Sequence, residues 1–210
     1  MSLGSTVRSW FGPHEHKVAE LYRGLFLDID DLYERVFAWK QDPVRILDVG
    51  CGEGAGTERL AAQFPHAEIL AIDITPRAGR LYRGRTRGVE FRTCTIQDVA
   101  AQQPASFDLV LMCDVIHHIP TAIRPEILRA AIATLTDDGT FFLKDWERSF
   151  GPVHWACYAS DRWLTGDKVE HLAPEQMRQL VLSNTATMQV RETARVRPWR
   201  NNYAMAFARA

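Results

Sequence analysis

Between residues 48 and 56 the chain reads Asp48-Val-Gly50-Cys-Gly52-Glu-Gly54-Ala-Gly56, directly after the apolar run Val44–Val49. Few arrangements accommodate this combination. A short β-branched and apolar run reads as a buried strand, and glycines at alternate positions let the following backbone turn tightly and come close to a ligand. The stretch after the glycines, Thr57–Phe64, reads as a helix, whose N-terminus offers unpaired N–H groups to a polar or anionic partner. Strand, glycine loop and helix together predict the first unit of a parallel α/β sheet with a binding loop at the strand's carboxyl end.

The rest of the chain repeats the alternation. Glu68–Ile72, Val89–Arg92, Phe107–Met112 and Gly139–Leu143 read as strands, and Thr121–Leu135 reads as a helix with Pro125 in its early turns. Strands separated by helices give βαβ units with right-handed crossovers and helices on both faces. Ligands in such sheets bind beyond the carboxyl ends of the strands. The informative positions are therefore Gly50–Gly56, Asp73, the loop before Asp98, Cys113–His118, and Lys144 onward. Upstream, His14–Lys40 reads as helix, with Val18, Leu21, Tyr22, Leu25 and Phe26 on one stripe. Pro174–Leu182 reads as a further helix, and Thr187–Val196 and Tyr203–Arg209 as two last strands. Tyr203, Met205 and Phe207 alternate with small alanines, as in a strand that faces two environments.

Composition narrows the classes. The 210 residues carry 25 Lys+Arg against 26 Asp+Glu, with 46% hydrophobic residues. This is globular, not disordered or collagenous, and the near-neutral balance, with a pI of about 6.7, lacks the basic excess of a dedicated nucleic-acid binder. One local patch departs from it: Arg77, Arg80, Arg83, Arg85, Arg87 and Arg92 stand against the single acid Glu90. No apolar run is long enough for a membrane helix. The four cysteines, at 51, 94, 113 and 157, form no Cys-x-x-Cys pair. Reduced thiols in the cytoplasm, no disulfide framework and no metal site are expected from that spacing.

Two features separate possible cofactors. The glycine loop also fits the relaxed fingerprint of NAD enzymes. Asp48, however, sits two residues before Gly50, where a carboxylate can meet an ammonium group and would repel a pyrophosphate. The fourth strand ends in Cys113-Asp114-Val-Ile-His117-His118-Ile-Pro120. With these residues the segment Val44–Lys144 resembles the class I S-adenosylmethionine-dependent methyltransferases, small-molecule type. The resemblance implies a Rossmann-like, mostly parallel seven-stranded sheet of order 3-2-1-4-5-7-6, last strand antiparallel, with helices on both faces. It implies S-adenosylmethionine as cofactor. By the same resemblance Asp48, Gly50, Cys51, Gly52 and Gly54 form the cofactor loop, with Cys51 a small packing residue. Asp73 holds the ribose hydroxyls, Asp98 accepts from the adenine amino group, Ile74, Ile96 and Gln97 flank the adenine, and Cys113 closes the fourth strand against the cofactor.

The expected activity is methyl transfer to a small molecule, at oxygen first, with carbon and nitrogen acceptors open. Candidate bases are His117, His118 and Asp145, since an acceptor hydroxyl must lose a proton. Residues 1–43 are expected to form a helical cap over a methyltransferase domain spanning 44–210, with 146–172 as an aromatic substrate rim. Tyr22, Trp146, His154, Tyr158 and Arg162 are the candidate substrate residues. Arg195, Arg197, Arg200 and Asn201-Asn202 could face an acidic substrate or a solvated edge. Three rival readings stand beside this one: a nucleic-acid or carrier-protein-bound substrate docked on the arginine patch, an NAD(P)-dependent oxidoreductase, and a protein that holds the cofactor without turnover. A homodimer is also open.

Overall fold

The computed structural model describes residues 27–147, 169–185, 187–198 and 201–210. In chain order the elements are α1 (Ile29–Trp39), β1 (Arg45–Val49), α2 (Ala55–Gln63), β2 (Glu68–Asp73), β3 (Val89–Thr93), α3 (Ile96–Gln102), β4 (Phe107–Cys113), α4 (Arg124–Ala133), β5 (Leu135–Trp146), α5 (Pro174–Asn184), β6 (Met188–Val196) and β7 (Asn202–Arg209). The strands form one sheet of order β3-β2-β1-β4-β5-β7-β6. β1 to β5 pair in parallel, whereas β7 runs antiparallel to both β5 and β6. The fold class, strand order and antiparallel last strand are those the sequence predicted.

Strand alternation divides the core between two faces. On one face Ile46, Leu109, Leu111, Phe142 and Ala204 pack with Leu32, Tyr33 and Val36 of α1 and Leu60 and Ala61 of α2. On the other, Leu47, Val110, Phe141, Leu143, Tyr203, Met205 and Phe207 pack with Ile96 and Val99 of α3, Leu128 and Ile132 of α4, and Met177 and Val181 of α5. The large-small alternation of β7 thus has a direct cause: its bulky side chains fill the α4–α5 face, and its alanines leave room for Phe142 and α1. α1 begins where Asp28 accepts from the Asp31 N–H at 3.0 Å, and Arg197 bridges to Asp28 and Asp31, tying the end of β6 to its first turn.

Several boundaries differ from those predicted. α3 was not anticipated; Thr95 and Asp98 close a capping box that starts it. The helix predicted from Thr121 begins at Arg124, because Thr121–Ile123 forms a separate 3₁₀ turn after Pro120. β5 starts at Leu135, not Gly139: Phe107 pairs with Leu135, and the irregularity next to it lets Asp137-Asp138-Gly139 stay within the strand. α2 begins two residues early, at Ala55. Of the predicted N-terminal helix, residues 14–26 lie outside the described residues.

Candidate active site

The glycine loop turns off the end of β1 under β2. The N–H groups of Gly50 and Cys51 both donate to the Ile72 carbonyl, at 2.8 and 3.0 Å. Gly50 has φ +75°, and a Cβ there would overlap Val115 Cγ2. Two constraints therefore require glycine: left-handed backbone, and contact with the chain that follows β4. Gly52, at φ +54°, meets nothing within 4 Å on its Cβ side. That open side is the cradle into which a ligand can come close to the main chain. Gly54 caps α2 without a side-chain hydrogen bond, so the first-turn N–H groups of α2 are left to a polar ligand.

Two carboxylates flank this loop. Asp48, buried on β1, accepts from the Thr57 hydroxyl at 2.7 Å. Burial raises its carboxyl pKa to about 6, against the Thr57 hydrogen bond and with a smaller push from Asp73. Asp73, at the end of β2, accepts from the N–H of Gly52 and of Thr75, each at 2.8 Å. Its oxygens are fixed in place by the main chain and keep further lone pairs for hydroxyl donors. Beside it Ile74 is 77% exposed, a large apolar side chain held open at the strand's carboxyl end, as an adenine wall would be. Gln97 donates to Glu126 at 2.8 Å, while its Oε1 is buried with no hydrogen-bond partner among the described residues.

These features fit the cofactor that the resemblance implies: an open glycine cradle, a buried carboxylate for an ammonium, a fixed carboxylate for vicinal hydroxyls, and an exposed apolar side chain at the end of β2. Two of the expected adenine residues also serve the chain itself. Asp98 turns back on its own helix, accepting from the Thr95 N–H at 3.0 Å and the Thr95 hydroxyl at 2.6 Å. Ile96 is buried in the core on the α3 side. The acceptor in this region that no capping bond occupies is Gln97 Oε1, one residue before Asp98. Burial keeps the thiols of Cys51 and Cys113 protonated, with the nearby carboxylates adding to the push.

The second half of the site lies past β4 and β5. His117 and Asp145 form a buried pair: His117 Nδ1 is joined to Asp145 Oδ1, the His117 main-chain N–H donates to Oδ2 at 3.2 Å, and the Trp146 N–H donates to Oδ1 at 2.8 Å. Burial alone would push the Asp145 carboxyl up. The charge and hydrogen bond of His117, the Trp146 N–H and Lys144 outweigh it and hold the carboxyl below its ordinary value. His118 is exposed, its ring centroid 4.2 Å from that of His117. Trp146 is buried at the end of β5, 5.3 Å from the Lys144 ammonium.

Other residues in this half had no distinct signal in the sequence. His171 stacks 4.8 Å from His117. Arg124 donates to the carbonyls of Ile119 and Glu170, at 2.8 and 3.0 Å, and Glu170 N–H donates to the His117 carbonyl at 3.0 Å. The start of α4 and the segment before α5 are thereby pinned to the turn that carries His117. Lys144, fully buried, is held by both oxygens of Asp114, at 2.6 and 2.7 Å. The ligating atoms of His117, Asp145 and His171 lie within 4.8 Å of one another, a gathering the cysteine and histidine spacing did not predict. Its one carboxylate is already joined to His117 and lies near the Arg124 charge. The expected substrate residues Tyr22, His154, Tyr158 and Arg162 lie outside the described residues.

The arginine patch is largely consumed within the chain. Arg77 and Arg80 both pair with Glu53, Arg92 pairs with Glu90, and Arg85 reaches the carbonyls of Ala61, Phe64 and Ala67 around the end of α2. Arg195 pairs with Glu147. No helix among the described residues is long and apolar enough to cross a membrane.

Comparison with known proteins agrees with this geometry. Residues 47–141 match the family described as a methyltransferase domain. The ubiquinone biosynthesis O-methyltransferase of Xanthomonas campestris pv. campestris (strain B100) is 35% identical over 109 residues, covering 50% of this chain and 44% of that protein. The protein of the same name from Leptothrix cholodnii is 33% identical over 116 residues, 52% of this chain and 47% of that one. The chain thus spans about half the length of the curated relatives it matches. Among solved structures, the 1,6-didemethyltoxoflavin-N1-methyltransferase of Burkholderia thailandensis, with bound 1,6-didemethyltoxoflavin and S-adenosylhomocysteine, superposes with a TM-score of 0.71 at 18% identity, over 98% of this chain and 88% of that one. The PH0226 protein of Pyrococcus horikoshii gives 0.69 at 15% identity, over 90% and 92%.

Proposed function

We propose that the chain is a class I S-adenosylmethionine-dependent methyltransferase that methylates a small molecule at oxygen, with His117 as base and Asp145 as the group that orients it. The observation that carries this reading is the buried His117–Asp145 pair at the carboxyl ends of β4 and β5, one strand away from the glycine cradle. The cofactor supplies a methyl group already made electrophilic by its sulfonium. The chain must hold that cofactor, orient the acceptor in line, exclude water and take one proton.

Asp48, the glycine loop, Asp73 and Gln97 would hold the cofactor. With Nδ1–H donated to Asp145, the neutral imidazole of His117 has its lone pair at Nε2, and that nitrogen takes the acceptor's proton. Asp145 fixes the tautomer and stabilises the imidazolium that forms. Residues 1–43 act as a cap over the domain 44–210, and the aromatic segment 146–172 is the substrate rim, with Tyr22, Trp146, His154, Tyr158 and Arg162 as its contacts. The free thiols of Cys51, Cys94 and Cys113 support a cytoplasmic location. Relatives named as ubiquinone biosynthesis O-methyltransferases favour oxygen over nitrogen as acceptor. The internal pairing of the arginine patch speaks against a nucleic-acid or carrier-protein docking face there.

Radiolabelled S-adenosylmethionine incubated with a panel of small phenols tests the reading. Label in an ether product, lost in His117→Ala and reduced in His118→Ala, is the expected result. Full turnover by His117→Ala would remove that residue as the base.

A further inference from the structure

Asp145 is buried, and its carboxyl is held below the ordinary range, so it stands ionised beside His117. A carboxylate in a dry site draws a proton onto a neighbouring imidazole, and a protonated His117 is no base. A nearby positive charge must offset that pull. On β5, Lys144 is held by both oxygens of Asp114 at the end of β4, at 2.6 and 2.7 Å, so those two charges cancel locally. Glu147, just past β5, pairs with Arg195 of β6. Tyr203 of β7 lies opposite Asp145 in the ladder; burial, then the carboxylates of Asp145, Asp114 and Glu147, keep its phenol protonated and neutral. His118 and His171 bring further imidazoles against His117. Glu170, before α5, is exposed, where water screens its charge. Among the described residues this leaves Arg124 of α4, whose charge is coupled to that of Asp145.

Arg124 stands where a cation is unfavourable. It is buried, and it is the first residue of α4, the end of a helix at which the peptide dipoles disfavour positive charge. Its hydrogen bonds among the described residues go to the carbonyls of Ile119 and Glu170 and not to a carboxylate. A neutral amide could donate to such carbonyls without the desolvation cost of a buried charge. The geometry nonetheless fixes the guanidinium at the base. Ile119 lies two residues after His117, and the Glu170 N–H donates to the His117 carbonyl at 3.0 Å.

We propose that Arg124 is a positioning residue for the base: its buried guanidinium balances the charge of Asp145, so that Asp145 orients His117 without keeping it protonated. The same side chain ties the turn that carries His117 to the segment that carries His171. Arg124 acts through Asp145 and His117 and moves no proton itself. The inference rests on the methyltransferase reading and adds to it how His117 stays a base at neutral pH.

The protonation of His117 tests this directly, read from the imidazole nitrogen shifts of the full, ligand-free chain by NMR, with the signal assigned by its loss in His117→Ala. In wild type the ring should be neutral at about pH 7, with its proton on Nδ1. Arg124→Met removes a positive charge that disfavours the imidazolium, so the titration midpoint of the ring should rise by about one pH unit or more. Arg124→Lys keeps the charge and should titrate as wild type does. With any small phenol that is turned over, the acid limb of kcat/KM should move to higher pH by the same amount in Arg124→Met, and Arg124→Lys should restore it. A merely structural role would lower the rate at every pH and leave the midpoint in place. An imidazolium in wild type at about pH 7, or an unchanged midpoint in Arg124→Met, would overturn the inference. The first of these needs no variant, so a poorly folding Arg124→Met leaves the test standing. A wild type that neither binds S-adenosylhomocysteine nor methylates any phenol would instead overturn the methyltransferase reading, which the histidine titration does not use.

Discussion

The imidazole of His117 and the carboxylate of Asp145 meet across 28 residues of sequence, both buried, with two main-chain N–H groups also aimed at the carboxylate. Three donors on one carboxylate fix its orientation, and through it the ring. Asp145→Asn keeps the shape but offers an amide, whose N–H would turn the lone pair of His117 to the wrong nitrogen. Turnover should fall about 10²–10⁴-fold, with S-adenosylhomocysteine affinity within about twofold of wild type, measured by labelled methyl transfer and calorimetry. A variant that retains most of its turnover would remove Asp145 from the mechanism.

Asp48 gives the site a dependence on pH. Its folded pKa, about 6, lies above the ordinary 3.8. A raised carboxyl binds its proton more tightly in the folded chain, so its contribution to stability is full below about pH 4 and is lost as pH rises through about 6. Above that, the free protein carries a buried charge that an ammonium ligand would offset. Cofactor affinity should therefore strengthen as pH rises from 5 to 7. Asp48→Asn should flatten that profile, weaken binding at neutral pH, and stabilise the ligand-free chain by up to roughly 3 kcal/mol. Titrations at several pH values, with thermal melts of both proteins, check each part. An unchanged profile in the variant would contradict the assignment.

Gly50 couples the cofactor loop to the turn after β4. Gly50→Ala must adopt φ +75° and force Val115 aside. The left-handed backbone and the overlap together should cost roughly 2–4 kcal/mol in urea unfolding. Val115→Ala in the same chain should recover the overlap part and leave the backbone part. Strict additivity of the two substitutions would show that the two residues do not press on each other.

The fold was legible because its units are local. The strand-glycine-helix signal at 44–64, the alternating apolar runs and the bulky-small pattern of Tyr203–Arg209 each encode which face an element buries. The cofactor half of the site is similarly compact: Asp48, Gly50, Gly52 and Asp73 all sit at strand ends. α3 is the element the apolar pattern does not announce: only the Thr95 and Asp98 spacing of its capping box marks its start. The acceptor half was only partly legible. His117 and Asp145 were named, but nothing local pairs them, nor brings Arg124, His171, Asn201 and Tyr203 to the same place. Asn201 and Tyr203 arrive because β7 enters between β5 and β6, and Arg124 and His171 because the segment before α5 returns to the turn that carries His117, tertiary facts without a short-range trace. Lys144 and Asp145 inside the otherwise apolar Phe141–Trp146 are the visible hint that this strand end carries charge.

The central claim is that the loop from Asp48 to Gly54, with Asp73, is built for S-adenosylmethionine. Calorimetric titration of the chain and of Asp73→Ala with S-adenosylmethionine, S-adenosylhomocysteine and NADH tests it most directly. Wild type should bind both sulfur ligands and not NADH, and Asp73→Ala should weaken both by about tenfold or more, since it deletes charge-assisted hydrogen bonds. Binding of NADH with no response to the sulfur ligands would contradict the account from Asp48 onward.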